Sequence, residues 1–163
     1  MKKAPKTNAM RYLDSHKIPH EEILYDSDGF LDGVGICNKL NLPLAQTFKT
    51  LVTVGKSKEH YVFLLPVAEE LDLKKAAVAV GEKSVEMIAV KEITPLTGYV
   101  RGGCSPLGMK KQFTTVVHES AQSFDKIYFS GGRLGAQLSL APQYLSELIG
   151  ATFVDLIAEN EGK

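Results

Sequence analysis

The sequence predicts an α/β domain with a mixed, largely antiparallel sheet. Three observations carry this expectation. Strand-like segments outnumber helix-like ones and do not alternate with them as a doubly wound parallel sheet requires. Two apolar segments, 48–54 and 60–65, flank Gly55-Lys56-Ser57-Lys58-Glu59, the pattern of an antiparallel hairpin with a longer loop. The 163 residues contain no repeat, low-complexity tract or Pro/Gly/Ser linker that would divide them. One domain with a substantial core is therefore expected over residues 6–157, with 1–5 and 158–163 as loose ends.

The elements follow in chain order. Ala9, Met10, Tyr12 and Leu13 recur with helical spacing over 8–16, and Pro19 lies just beyond. Residues 21–25 read as a short strand and 26–29 as a turn. A helix is expected over 31–40, ended by Asn41 and Pro43. After the hairpin, Asp72 can cap a helix over 73–80 and Gly81 can stop it. Residues 84–88 and 91–93 read as short helical turns, and 114–118 and 126–130 as strands. Residues 137–140 alternate polar and apolar, as a half-buried strand does. Pro142 suits the first turn of a helix reaching Ile149, and Gly150 closes it. Residues 152–157 form a last strand.

Charge narrows the function classes. With 19 basic and 19 acidic side chains the formal net charge is zero, which argues against a strong general affinity for nucleic acid. Any such contact must come from a local patch. No apolar run approaches membrane-spanning length, and the basic N-terminus lacks the apolar stretch of a signal peptide, so a cytoplasmic protein is expected. In that compartment Cys37 and Cys104 are expected to be free thiols.

Several familiar chemistries fail on spacing. His16 and His20 stand four apart, but Pro19 interrupts the helix that would align them. There is no CxxC pair. DSDGFLDG puts Phe30, Leu31 and Cys37 where a calcium loop needs an oxygen donor, glycine and glutamate. SGGRLG is followed by an alternating strand and not by the helix that a dinucleotide fingerprint needs. Ser105 is followed by Pro106 and has no glycine two positions on, unlike a nucleophile elbow. Cys104 has no histidine implicated nearby in sequence and reads as a packed or bystander thiol.

Three features remain. Lys49 interrupts the apolar strand QTFKTLVTV. Spacing alone favours the solvent face. The alternative is a cleft, where a fixed ammonium binds phosphate or a developing oxyanion. The stretch TGYVRGGCSPLGMKK has four glycines and no acid, which suits close approach of an anionic ligand to the backbone of Gly102 and Gly103. SGG at Ser130 to Gly132 sets a hydroxyl and bare backbone at a strand end, with Arg133 next. Together they suggest a groove walled by glycine loops with basic residues on its rim. Such a groove suits a small group carried on a phosphate-bearing partner.

In this order and spacing, KTNAMRYLD, FKTLV, YVFLLPVAEELDLKKAA, GEKSVEMI, LTGYVRGGCSPLGMKK, SGGRLG and LAP resemble the YbaK/EbsC family. Its members are free-standing Cys-tRNA(Pro)/Cys-tRNA(Cys) deacylases, similar to the editing domain of bacterial prolyl-tRNA synthetases. The resemblance spans about residues 6–157. It implies a barrel-like sheet flanked by helices, and an activity that removes cysteine from mischarged tRNA(Pro). It implies Lys49 as the catalytic residue. Substrate contacts are implied from Thr50, from Tyr25 and Phe30 as aromatic walls, from Gly102 and Gly103, and from Ser130 and Gly131. Arg101, Lys110, Lys111 and Arg133 are expected to meet tRNA phosphates.

The resemblance further implies chemistry by the substrate's own thiol, which attacks its ester carbonyl and leaves as a thiolactone. No cofactor or metal is then needed, and Cys104 is not the reacting thiol. The partners implied are the aminoacylated 3′ end of tRNA and prolyl-tRNA synthetase, with neither DNA nor membrane. Two alternatives stand beside this reading. One is a deacylase for another small amino acid such as alanine. The other is a non-catalytic module that binds aminoacyl-tRNA or the synthetase.

Overall fold

Two sheets that meet at one corner organise the chain. The computed structural model describes residues 5–27 and 32–159. In chain order the elements are α1 (Asn8–Ser15), β1 (Glu21–Leu24), α2 (Gly33–Leu40), β2 (Phe48–Gly55), β3 (His60–Pro66), α3 (Leu73–Val80), β4 (Val85–Met87), α4 (Val90–Thr97), β5 (Thr114–His118), β6 (Ile127–Ser130), β7 (Ala136–Leu140), α5 (Gln143–Ile149) and β8 (Thr152–Val154). The larger sheet runs β4-β2-β3-β5-β8 and the smaller β1-β7-β6. All pairs are antiparallel except β3 with β5 and β5 with β8. Thr47, just before β2, bridges to Tyr128 of β6 and joins the two sheets. The mixed, largely antiparallel arrangement is the one expected.

The helices form where capping chemistry allows. Thr7 Oγ1 accepts the Met10 N–H at 3.1 Å and opens α1. Asp72 Oδ1 accepts from the amides of Lys74 and Lys75 to open α3, and Gly81, at φ +72°, ends it. Asp32 Oδ1 accepts the Gly35 N–H at 2.8 Å, so α2 begins at Gly33, later than expected. Pro142 directly precedes α5, and Gly150 ends it in the left-handed region.

The main core lies between the sheets and under α1, around Met10, Leu13, Phe48, Leu64, Phe129 and Leu138. A smaller cluster of Phe63, Ala76, Val116 and Leu156 seals the other face of the larger sheet under α3. β3 therefore has apolar packing on both faces, which explains its unbroken run YVFLLP.

Four expectations need correction. Residues 85–87 are a strand, not a helical turn. They complete the edge of β2 by pairing Thr53 with Met87 and Gly55 with Val85. The next helix spans eight residues and continues through Pro95, opened by Glu92 accepting the Ala89 N–H at 3.1 Å. β7 is buried along its whole length because β1 and β6 flank it and both its faces are covered. β8 stops at Val154. Ile157 then bridges Leu71, and the Ala158 N–H reaches the Glu70 carbonyl at 2.9 Å. His118 braces this segment, its Nδ1 accepting the Leu156 N–H at 3.0 Å.

Candidate functional site

A cleft of about 390 Å³ opens along β2. The start of α2, the β4–α4 segment and the loop 101–104 complete its walls, and Ser130 and Gln137 reach it from the smaller sheet. Much of the lining is apolar, with Phe48, Val52, Ile88 and Ile93 among it. A few polar groups converge on this surface, the usual composition of a small-molecule site.

Lys49 enters from β2 and is half-buried, so the cleft alternative prevails over the open solvent face. Its Nζ donates to the Glu69 carbonyl at 2.6 Å. Burial pushes its pKa down, and the carboxylates of Glu70, Glu69 and Asp32 oppose that shift. Lys49 is thus a held cation whose charge is partly balanced by neighbours. Beside it, the buried Thr50 Oγ1 has no hydrogen-bond partner.

The two glycine loops back onto each other. The Gly103 N–H donates to the Val100 carbonyl at 2.9 Å and closes a tight turn, whose third position, Gly102, has φ +82°. A Cβ on Gly103 would lie 2.9 Å from Arg133 Cα. The second loop is tied from behind: Thr7 Oγ1 donates to the Gly131 carbonyl, and the Gly131 N–H donates to the Ala136 carbonyl at 2.9 Å. Ser130 Oγ accepts the Gly132 N–H at 3.3 Å.

The structure brings Lys49, Thr50, Arg101, Gly102 and Ser130 to one cleft. Gly103 and Gly131 lie behind its wall, where their bareness lets backbone pack on backbone or on a neighbouring methyl. The stretch 97–111 is mostly not an open loop. Tyr99, Cys104, Ser105, Leu107 and Met109 are buried, and the Tyr99 hydroxyl donates to the Leu107 carbonyl at 2.6 Å. Its lack of bulk serves packing: a Cβ on Gly108 would lie 2.8 Å from the Asn8 backbone.

Other expected residues stand apart. The Tyr25 N–H donates to the Gly135 carbonyl at 2.9 Å, and the Lys39 ammonium lies 6.0 Å from its ring, outside the cleft lining. Phe30 lies outside the described residues. Lys110 packs at the end of α4, Lys111 sits 5.7 Å from the Phe113 ring, and Arg133 Nη1 donates to the Leu134 carbonyl at 3.4 Å. None of the three lines the cleft.

Cys104 does line it, and burial pushes its thiol up to about 11. It is protonated near neutral pH and a poor nucleophile. Elsewhere His20 gathers with Asp14 and Glu22, but the Lys6 ammonium lies 2.5 Å from Asp14 Oδ2 and 3.5 Å from Glu22 Oε2 and balances the pair.

Sequence reasoning missed Gln137. It faces Ser130 across the β6–β7 pair, is 4% exposed, and lines the cleft with an unpartnered Oε1. It also missed the apolar wall of Ile36, Met87, Val90 and Ile93.

Known proteins share this architecture. Residues 35–148 match the aminoacyl-tRNA editing domain family. Over 152 residues, 93% of each chain, the sequence is 43% identical to a protein of Enterococcus faecalis described as the Cys-tRNA(Pro)/Cys-tRNA(Cys) deacylase EbsC. Among solved structures, one described as a trans-editing enzyme for prolyl-tRNA synthetase superposes with a TM-score of 0.81 at 24% identity, covering 96% of this chain and 100% of that one. The hypothetical protein APE2540 gives 0.84 at 22% identity, covering 93% and 99%. At these identities the two structures speak to fold alone.

Proposed function

The chain belongs to the aminoacyl-tRNA editing domain family of YbaK/EbsC type, and from that membership we propose that it is a deacylase that removes cysteine from Cys-tRNA(Pro) and Cys-tRNA(Cys). The observation that carries this is the 43% identity to EbsC, which extends over 93% of both chains and so across every wall of the cleft. A single pocket separates amino acids of similar size poorly, and a second site that clears the mistake is the general remedy.

The cleft suits chemistry supplied by the substrate. Cys104 is buried and protonated, and the described residues lining the cleft include no histidine that could serve as a base. On this reading the substrate thiol gives up its proton, and its sulfur attacks the carbonyl carbon of its own ester. A C–S bond forms, the C–O bond to the ribose breaks, and the ribose oxygen takes up a proton. Cysteine leaves as a cyclic thiolactone. Because sulfur and carbonyl belong to one molecule, holding the reactive conformer lowers the barrier. Lys49 stabilises the oxyanion. Its neighbouring carboxylates make that short-range task fit better than capture of a distant phosphate. The unpartnered Gln137 Oε1 needs a donor, which the substrate's α-ammonium supplies; Ser130 stands opposite it and Thr50 lines the same cleft.

Prolyl-tRNA synthetase is the proposed working partner, and the cytoplasm the proposed compartment. No helix among the described residues is long and apolar enough to cross a membrane.

The test mixes the protein with Cys-tRNA(Pro), Ala-tRNA(Pro) and Pro-tRNA(Pro), with Lys49→Ala as control. Cysteine should be released selectively, and the variant should lose at least about 10²-fold in rate. Release of alanine instead would move the specificity to another small amino acid. No turnover, with or without the synthetase, would leave a binding module.

A further inference from the structure

Lys49 has a flexible stem and a compact charge, so its direction is set by whatever partner is fixed near it. That partner is the Glu69 carbonyl, 2.6 Å from Nζ, in the loop 67–72 between β3 and α3. Ala68, Glu69 and Glu70 are exposed, so the middle of this loop has little packing of its own. Its entry is fixed by the Val67 N–H on the Thr47 carbonyl at 2.9 Å and the Glu69 N–H on the Pro66 carbonyl at 3.0 Å. Its exit is fixed by the segment that follows β8. The Ala158 N–H donates to the Glu70 carbonyl at 2.9 Å, the Asp72 N–H donates to the Leu156 carbonyl at 2.8 Å, and Ile157 bridges Leu71. Lys75 Nζ, from α3, donates at 2.8 Å to both Asp155 Oδ2 and the Ile157 carbonyl. The segment 155–158 therefore straps the loop that holds Lys49.

Two groups seat the strap. Leu156 is fully buried in the cluster under α3. Its N–H donates to Nδ1 of His118, which is 8% exposed at the end of β5. An Nδ1 that accepts belongs to a neutral imidazole with its proton on Nε2. Protonation would set a second N–H against that of Leu156 and break the bond. The charged groups around His118 are Asp155 on the strap, whose Oδ1 lies 3.8 Å from Nδ1, Glu119 beside it in the chain, Lys75 on α3 and Glu69 on the loop. Burial pushes the His118 pKa below its ordinary value, Lys75 adds to the fall, and Asp155, Glu119 and Glu69 oppose it. The folded protein thus holds the neutral, accepting form near neutral pH. The Glu69 carboxylate acts on His118 and on Lys49, which sets the loop within reach of both.

We propose that His118 is a positioning residue for Lys49: it seats Leu156, the strap then fixes the loop 67–72, and the Glu69 carbonyl holds the ammonium at the cleft wall. This rests on the deacylase reading, in which Lys49 stabilises the oxyanion. His118 does not line the cleft, so its effect runs through Lys49. A charge placed for the transition state is felt in kcat and hardly in KM.

Two variants of the whole protein test this. His118→Leu removes the acceptor and keeps apolar bulk, whereas His118→Asn keeps an acceptor, Oδ1, that does not titrate. Near neutral pH His118→Leu should lower kcat for Cys-tRNA(Pro) at least about 10-fold with KM within about 2-fold, and His118→Asn should recover most of the loss. Because the folded value is depressed, the strap is intact above it and loosens as the pH falls through it, below about 6.5. Wild-type kcat should drop there relative to that of His118→Asn. NMR reads the same strap without turnover. The Leu156 and Ala158 amides should exchange faster, and the Lys49 ε-carbon signal should move, in His118→Leu and in the acidified wild type but not in His118→Asn. Equal losses in both variants, a rise in KM in place of the fall in kcat, or a Lys49 signal that stays put while the amides exchange faster would overturn the proposal. If His118→Leu does not fold, the pH comparison of wild type with His118→Asn decides. If the wild type turns over no Cys-tRNA(Pro), the deacylase reading fails, and the Lys49 signal still decides whether His118 positions it.

Discussion

Lys49 carries two opposing demands. The proposed mechanism needs its charge, and burial disfavours it. Burial lowers the pKa in the folded protein, so the unfolded chain holds that proton more tightly. Stability then rises with pH from the lowered folded value up to the ordinary lysine value of about 10.4. Below that window, at neutral pH, the fold bears the full penalty of the buried charge. Lys49→Met should therefore raise Tm at pH 7, by about 1–3 °C, while deacylation falls at least about 10²-fold. Calorimetry and a deacylation assay on the same samples check both halves. A lower Tm would mean that the Glu69 carbonyl and the nearby carboxylates outweigh desolvation. Lysine in an apolar strand is visible in one dimension, and Lys49 was legible for that reason. Gln137 was not. It reads as the polar half of an alternating strand, and only the flanking strands β1 and β6 bury it and set it opposite Ser130.

Elements with their own chemical punctuation were the legible ones. Asp72 and Gly81 bracket α3 as expected, and the 48–55 and 60–66 strands close on their polar loop. β4 was misread because three residues carry almost no periodicity, and its extended form is imposed by the free edge of β2. The glycine loops were legible as a feature but not in their purpose. Gly102 sets a turn, whereas Gly103 and Gly132 let the two loops and the start of α1 touch. Gly103→Ala would drive a methyl to within 2.9 Å of Arg133 Cα, and backbone on both sides leaves no flexible group to yield. We expect a loss of about 1–3 kcal/mol by urea denaturation, the usual size of overpacking. Deacylation should fall as well, because Arg101 and Ser130 sit on the two segments forced apart. Unchanged stability and activity would mean that the loops separate without strain.

At the scale of the molecule, the hairpin announced a mixed sheet, but the parallel β3–β5 and β5–β8 pairs follow from long crossovers that no local pattern encodes. Charge was legible in total and illegible in placement. The balance of 19 basic and 19 acidic residues leaves no surplus to hold a polyanion. The structure narrows it further: Lys49 is set among carboxylates, and Lys110, Lys111 and Arg133 lie off the cleft lining. Few phosphates can then be neutralised at once. Each neutralised phosphate contributes about 0.7–0.9 to the slope of log affinity against log salt, so a protein gripping three or fewer should show a slope no steeper than about −3. Filter binding of tRNA(Pro) between 50 and 200 mM salt should accordingly lose less than about 10²-fold. Affinity at the upper salt should be weak for the protein alone and rise when prolyl-tRNA synthetase is added. A steep slope, or tight selective binding without the synthetase, would place a broad cationic face on this protein and remove the need for the partner. The shallow slope would instead mean that the cleft recognises only the end of the tRNA, and that the choice of tRNA is made by the partner.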